Sequence, residues 1–168
     1  MLFYPDYYFK NITEIDTKLL QKNNIKGLIL DVDNTLIDYD HKLIDGLEEW
    51  YEKIKENNIK CCILSNSNKK EKVKRVAEKL GVPYIFFGTK PLKRGFKRAA
   101  KILGMENKYI AAIGDQIFTD VLGANRCKMT SILLEPISER DIIVTVIKRP
   151  IEKYIINKYL KKHKGEEN

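Results

Sequence analysis

Short apolar runs alternate with amphipathic segments along this chain. The first run, Lys26 to Leu30, ends in Asp31-Val32-Asp33-Asn34-Thr35. From Ile44 to about residue 57, apolar residues recur at helical spacing, which predicts a helix with one buried face. A second run, Cys61 to Leu64, ends in Ser65-Asn66-Ser67, and the helix predicted over Lys69 to Leu80 stops at Gly81, a helix-ending residue. Tyr84 to Phe87 is the third run, followed by a helix from about Arg94 to Leu103 closed by Gly104. The fourth, Tyr109 to Ile113, ends in Gly114-Asp115, and a short helix follows over Phe118 to Asn125. The fifth, Thr130 to Leu134, is broken by Pro136.

Alternating strands and helices of this kind give an α/β fold, here a mostly parallel five-stranded sheet with helices on both faces. Ligands in such sheets bind at the carboxyl ends of the strands. Asp31, Asp33, Ser65 and Asp115 all follow apolar runs, so the topology brings them to one edge. Asp31 and Asp33 share a face if the strand continues through them. Two carboxylates on one face repel, and tolerate each other around a cation or with one protonated.

The 168 residues suffice for one domain. It divides into an N-terminal arm (1–24), a core (25–135) and a basic C-terminal helix (148–164), with no repeat or linker. That last segment holds seven Lys/Arg and one Glu. Ile151, Tyr154, Ile155, Lys158 and Tyr159 follow helical spacing in it, so it either docks on the sheet or contacts a membrane surface or nucleic acid. Leu2, Phe3, Tyr4, Tyr7, Tyr8 and Phe9 make the arm aromatic; it either packs on the sheet edge or rests at a lipid interface.

A net charge of +8 favours an anionic partner: phosphate esters, nucleic acid or a membrane surface. No nucleic-acid-binding motif is present. The cysteines Cys61, Cys62 and Cys127 have neither disulfide nor zinc spacing, which fits a reducing cytoplasm. No apolar stretch approaches the ~20 residues needed to span a bilayer, and the N-terminus lacks the pattern of a secretory signal. The protein is expected in the cytoplasm, with peripheral contact at the inner face of the membrane also compatible. His41 and His163 are the only histidines, so chemistry built on a histidine cluster is set aside.

Taken with Ser65, Lys90-Pro91 and Gly114-Asp115-Gln116-Ile117-Phe118-Thr119-Asp120, the Asp31-x-Asp33 motif resembles the haloacid dehalogenase-like (HAD) superfamily of phosphohydrolases, over about residues 25 to 135. The Asp-x-Asp-Asn-Thr form, the N-terminal Pro-Asp-Tyr and the short length look closest to the YqeG branch of subclass IIIA. That branch is similar to mitochondrial phosphatidylglycerophosphate phosphatases. The resemblance implies a three-layer Rossmann-like core. It implies Asp31 as nucleophile, forming an aspartyl-phosphate, and Asp33 as general acid and base. Mg²⁺ would be held by the Asp31 carboxylate, the Asp33 backbone carbonyl and the Asp115 carboxylate. Ser65, with the Asn66 backbone N–H, would bind the phosphoryl oxygens, and Lys90 would balance their charge. Lys93 is a rival for that place, but Lys90 precedes Pro as in the family. Thr35 and Asn34 would support the nucleophile loop, and Asp120 would act around the metal or hold the lysine.

Many HAD enzymes carry a cap domain that closes over the substrate. Residues 37–60 and 68–89 are too short to hold one, so the site is expected to be open. The reading is a Mg²⁺-dependent phosphomonoester hydrolase acting on phosphatidylglycerophosphate. Soluble or macromolecular phosphomonoesters are the alternative substrates. A phosphate- or RNA-binding assembly partner with weak turnover is the alternative class, and oligomeric state is left open. A phospho-receiver would need an Asp after the third run, where Phe86-Phe87-Gly88 supplies none.

Overall fold

The computed structural model describes residues 2–137 and 143–163, apart from the side chains of residues 143–149 and His163. Its strands are β1 (Tyr7–Phe9), β2 (Gly27–Leu30), β3 (Lys60–Leu64), β4 (Tyr84–Ile85), β5 (Ile110–Gly114) and β6 (Thr130–Leu134). Its α-helices are α1 (Thr17–Lys22), α2 (Leu47–Glu56), α3 (Lys70–Leu80), α4 (Lys93–Leu103), α5 (Leu122–Arg126) and α6 (Ile143–His163). All strand pairs are parallel, in the order β1-β6-β5-β2-β3-β4.

The sheet therefore has six strands rather than the expected five. The sixth comes from the aromatic arm: Tyr7, Tyr8 and Phe9 pair with Ile132, Leu133 and Leu134 on the outer edge of β6. Tyr7 and Phe9 face one core and Tyr8 the other side, so the arm closes an edge that would otherwise be open to pairing.

Parallel strands buried on both faces read as continuous apolar runs. Leu28, Leu30, Ile63, Ile113 and Ile132 face α1, α2 and α3. Ile29, Cys62, Leu64 and Ala112 face α4 and α5. Each fully buried Leu or Ile contributes about 1.5–3 kcal/mol. All three cysteines are buried and free. Gly81 and Gly104 end α3 and α4 in the left-handed conformation, as predicted.

The largest departures from expectation are at four boundaries. Strand β4 stops at Ile85, two residues short of the end of the third apolar run. Helix α2 begins at Leu47, after Gly46 at φ 77°. The segment predicted as one helix from Phe118 splits into a π-helical turn, Ile117–Val121, and the short α5. Helix α6 begins at Ile143, ahead of the predicted 148; Lys164 lies outside the described residues. It docks through Glu152, Ile155, Ile156 and Tyr159, leaving Ile151 and Tyr154 exposed. The Glu152 carboxylate accepts from the Phe118 N–H at 3.3 Å.

The chain runs outward from β2 to β3 and β4, then returns to β5 on the other side of β2. The strand order reverses between β2 and β5, the place where open α/β sheets bind ligands. Only a loop and α2 separate β2 from β3, and only α3 lies between β3 and β4. No cap covers that edge among the described residues.

Candidate active site

Asp31 follows β2, and its N–H donates to the Ile113 carbonyl of β5 at 3.0 Å. That bond carries the sheet ladder one residue past β2 and fixes Asp31 beside the end of β5. Asp115 follows β5 directly. Asp120 returns to the same spot through the π-helical turn, where its N–H donates to the Gln116 carbonyl and its carboxylate accepts from the Gln116 N–H at 3.2 Å. Gly114 makes this approach possible: a β-carbon there would collide with the Asp120 carboxylate. π-helical turns of this kind are frequent at functional sites.

One carboxylate oxygen from each of Asp31, Asp115 and Asp120 lies within 4.8 Å of the others, and all three residues are buried. A single lysine enters this cluster. Lys90 Nζ lies 2.8 Å from Asp31 and 2.5 Å from Asp120, with its side chain 3% exposed. Burial and the nearby Asp120 charge push the Asp31 carboxyl up to about 7, although Lys90 pulls it down. Burial and the charges of Asp31 and Asp120 push Asp115 well above the ordinary carboxylate range. Burial alone would lower the Lys90 ammonium; Asp120 and Asp31 outweigh it and hold Lys90 above its ordinary value.

All three carboxyl groups ionised against one ammonium would leave a negative excess in a nearly dry place, which is why Asp31 and Asp115 resist ionisation without a further counter-charge. Asp115 Oδ1 is buried with no hydrogen-bond partner. Such an oxygen is costly unless something binds it. An all-oxygen donor set of this kind suits a hard divalent cation. The site fits a divalent metal.

Asp33 is elsewhere. Strand β2 stops at Leu30, so the alternation that would align Asp33 with Asp31 does not continue; residue 33 makes an isolated bridge to Ile37. Its carboxylate is outside the acidic cluster and pairs with Lys72 Nζ at 2.5 Å. Sequence reasoning missed Lys72. Its signal was weak: Lys70 and Lys72 flank Glu71 in the first turn of α3, where cations oppose the helix dipole.

Ser65 is buried at the end of β3, its oxygen accepting from the Ser67 N–H at 3.1 Å. The Asn66 side chain grips the Lys90 backbone twice, donating to its carbonyl at 2.9 Å and accepting from its N–H at 2.7 Å. Lys93, the rival lysine, is exposed on α4. Thr35 is buried below the Asp31 loop, its hydroxyl without a partner. Asn34 turns that loop at φ 58°. His41 is exposed and takes no part in the cluster.

A buried acid cluster with one lysine at the switch point of a parallel sheet is the arrangement of a metal-dependent hydrolase, and comparison with known proteins agrees. A haloacid dehalogenase-like hydrolase family model matches residues 39–128. The chain is 39% identical to the Bacillus subtilis protein named "Probable phosphatase YqeG", over 92% of this chain and 90% of that one. The chain belongs to the haloacid dehalogenase-like hydrolases. It is a HAD-type phosphatase. It is also 26% identical to the chloroplastic/mitochondrial phosphatidylglycerophosphate phosphatase 1 of Arabidopsis thaliana, over 94% of this chain but 48% of that protein. Among solved structures, an uncharacterized protein from Listeria monocytogenes serotype 4b shares the fold. Its TM-score is 0.55 at 21% identity, covering 71% of this chain and 86% of the other. The family match begins eight residues after Asp31 (39 − 31), so it spans Ser65, Lys90, Asp115 and Asp120 but not the first acidic pair. Among the described residues, no helix is long and apolar enough to cross a membrane.

Proposed function

We propose that this protein is a Mg²⁺-dependent phosphomonoester hydrolase that acts as a single capless domain through an aspartyl-phosphate on Asp31, with phosphatidylglycerophosphate as its substrate. The observation that carries the reading is the buried cluster of Asp31, Asp115 and Asp120 around one lysine, with an unpartnered oxygen on Asp115.

Asp31, Asp115 and the Asp33 backbone carbonyl would hold the cation. When bound, it supplies the counter-charge that lets an anionic phosphoryl group approach an anionic carboxylate. An Asp31 oxygen attacks phosphorus, the phosphorus–oxygen ester bond breaks, and the leaving alkoxide takes a proton from Asp33. Asp33 then takes a proton from water as that water attacks the aspartyl-phosphate, releasing phosphate and the Asp31 carboxylate. The Ser65 hydroxyl and the Asn66 backbone N–H donate to the phosphoryl oxygens. Lys90, fixed by Asn66 and Asp120, stays protonated beside Asp31 throughout.

The lipid substrate is supported by the likeness to the Arabidopsis enzyme, the open edge of the sheet and the net charge of +8. Hydrolysis of an aryl phosphate, abolished by chelator and restored by Mg²⁺, tests the chemistry; failure to turn over any phosphomonoester contradicts it. Vesicles carrying phosphatidylglycerophosphate, set against a panel of soluble phosphomonoesters, test the substrate. Faster turnover of the soluble panel would assign the enzyme to soluble substrates instead.

A further inference from the structure

The loop after β4 carries the least economical residues of the fold. Phe87 is 63% exposed and sits in the left-handed backbone region, at φ 50°. That region favours Gly, Asn, Asp and His; Thr89, two residues on, sits there as well, at φ 57°. A solvent-facing turn of this kind is ordinarily filled by Gly or Asn, and Phe has neither a conformational nor a packing reason to be there. The loop is nonetheless held firmly. The Phe87 N–H donates to the Ser67 carbonyl at 2.9 Å and the Gly88 N–H to the Ser65 carbonyl at 2.8 Å. Helix α4 presses on the Gly88 carbonyl through Gly95, which has no room for a β-carbon. Phe87 is thus presented beside Ser65 and Asn66, at the edge where Lys90 enters the acid cluster.

Its surroundings are cationic. From Phe86 to Met105 the chain holds six Lys/Arg and no Asp or Glu. Lys93, Arg94, Lys97, Arg98 and Lys101 are all exposed on α4. Arg98 lines one hollow with Phe86 and Phe87, and Lys70 Nζ of α3 stands 5.7 Å from the centre of the Phe86 ring. Leu92, 54% exposed, begins α4 beside Lys90, and Ile102 is exposed near its other end.

We infer that the Phe86–Phe87 loop, Leu92 and the exposed face of α4 form a docking surface for an anionic lipid bilayer. Apolar side chains ringed by Lys and Arg combine interfacial insertion with attraction to anionic headgroups. A nucleic acid would use the cations and stack on the phenylalanines, but has no use for the exposed Leu92 beside them, which favours lipid. The inference deepens the proposed function, resting on it for the lipid substrate but not for the docking itself.

Co-sedimentation of the full chain with substrate-free vesicles tests it. Binding to vesicles of phosphatidylglycerol and phosphatidylcholine is expected, falling with added salt and absent from pure phosphatidylcholine. Phe87→Asn introduces a residue that tolerates the left-handed backbone, so its melting temperature should match or exceed the parent's. Its vesicle affinity should fall about tenfold, a fraction of what full burial of a phenylalanine is worth. Lys97→Gln and Lys101→Gln should each lower affinity about fivefold. The inference is overturned by no binding to phosphatidylglycerol vesicles, equal binding to neutral ones, or a Phe87→Asn variant that binds like the parent. Retention of single-stranded RNA without vesicle binding, or a dimer that Phe87→Asn dissociates without vesicle binding, also overturns it. Vesicle binding with no hydrolysis of any phosphomonoester leaves the docking surface standing and removes the proposed reaction. Hydrolysis without vesicle binding does the reverse.

Discussion

Two lysine–aspartate pairs flank the carboxyl end of β2, and they differ in nearly every physical respect. Lys90 is 3% exposed and shared between Asp31 and Asp120, themselves 8% and 5% exposed. Lys72 meets Asp33 on a side where the acid is 44% exposed. The first pair is fixed: its charges are out of water and its lysine backbone is clamped by Asn66. The second can open to solvent at little cost. The reaction proposed above uses both kinds, a fixed charge at Lys90 and a proton-exchanging group at Asp33. Residues two apart in sequence acquire these opposite settings because β2 ends between Leu30 and Asp31.

The largest expected effect is at the buried pair. Lys90→Ala leaves two buried carboxylates without their cation and should cost about 3–5 kcal/mol of stability. Denaturant unfolding measures it, and a loss under 1 kcal/mol would mean the pair is far wetter than its burial indicates. Asn66→Ala removes both bonds to the Lys90 backbone and should cost about 1–3 kcal/mol, with a larger proportional loss in kcat than in KM if Lys90 acts during the reaction.

The pH dependence separates the regions further. The Asp31 carboxyl is raised from 3.8 to about 7. Its favourable contribution to the cation-free fold is complete below its ordinary value and is lost as pH rises towards 7. The melting temperature without cation should therefore fall across that window. Added Mg²⁺ should oppose the fall, because the ionised carboxyl is the form that binds it. Below pH 7, apparent cation affinity should drop about tenfold per pH unit for each proton displaced. A flat melting profile from pH 4 to 7, with and without Mg²⁺, would contradict the account. The smallest effect belongs to Lys72→Ala: about 1 kcal/mol of stability, because the lysine of this half-exposed pair is 12% exposed but its acid keeps 44%. A stability loss as large as that of Lys90→Ala would erase the distinction.

Much of the site was legible because strand ends are legible. The runs ending at Leu30, Leu64 and Ile113 place Asp31, Ser65 and Asp115 on one edge by topology alone, and Gly81 and Gly104 mark their helix ends by conformation. What stayed hidden depends on tertiary contacts. Residues 7–9 become a strand only because β6 offers an edge. The π-helical turn exists because Gly114 lets Asp120 fold back, which no local propensity encodes. Asp33 and Lys72 meet across 39 positions of chain, and α6 turns Glu152 inward while Ile151 and Tyr154 of the expected face stay exposed.

The central claim is that Asp31 carries the phosphoryl group. Acid-quenched turnover of an aryl phosphate with Mg²⁺, followed by peptide mass analysis, tests it most directly. One phosphoryl group on the peptide containing Asp31, absent in Asp31→Asn together with turnover, is the expected result. Undiminished turnover by a folded Asp31→Asn variant, or the phosphoryl group on any other residue, would contradict it.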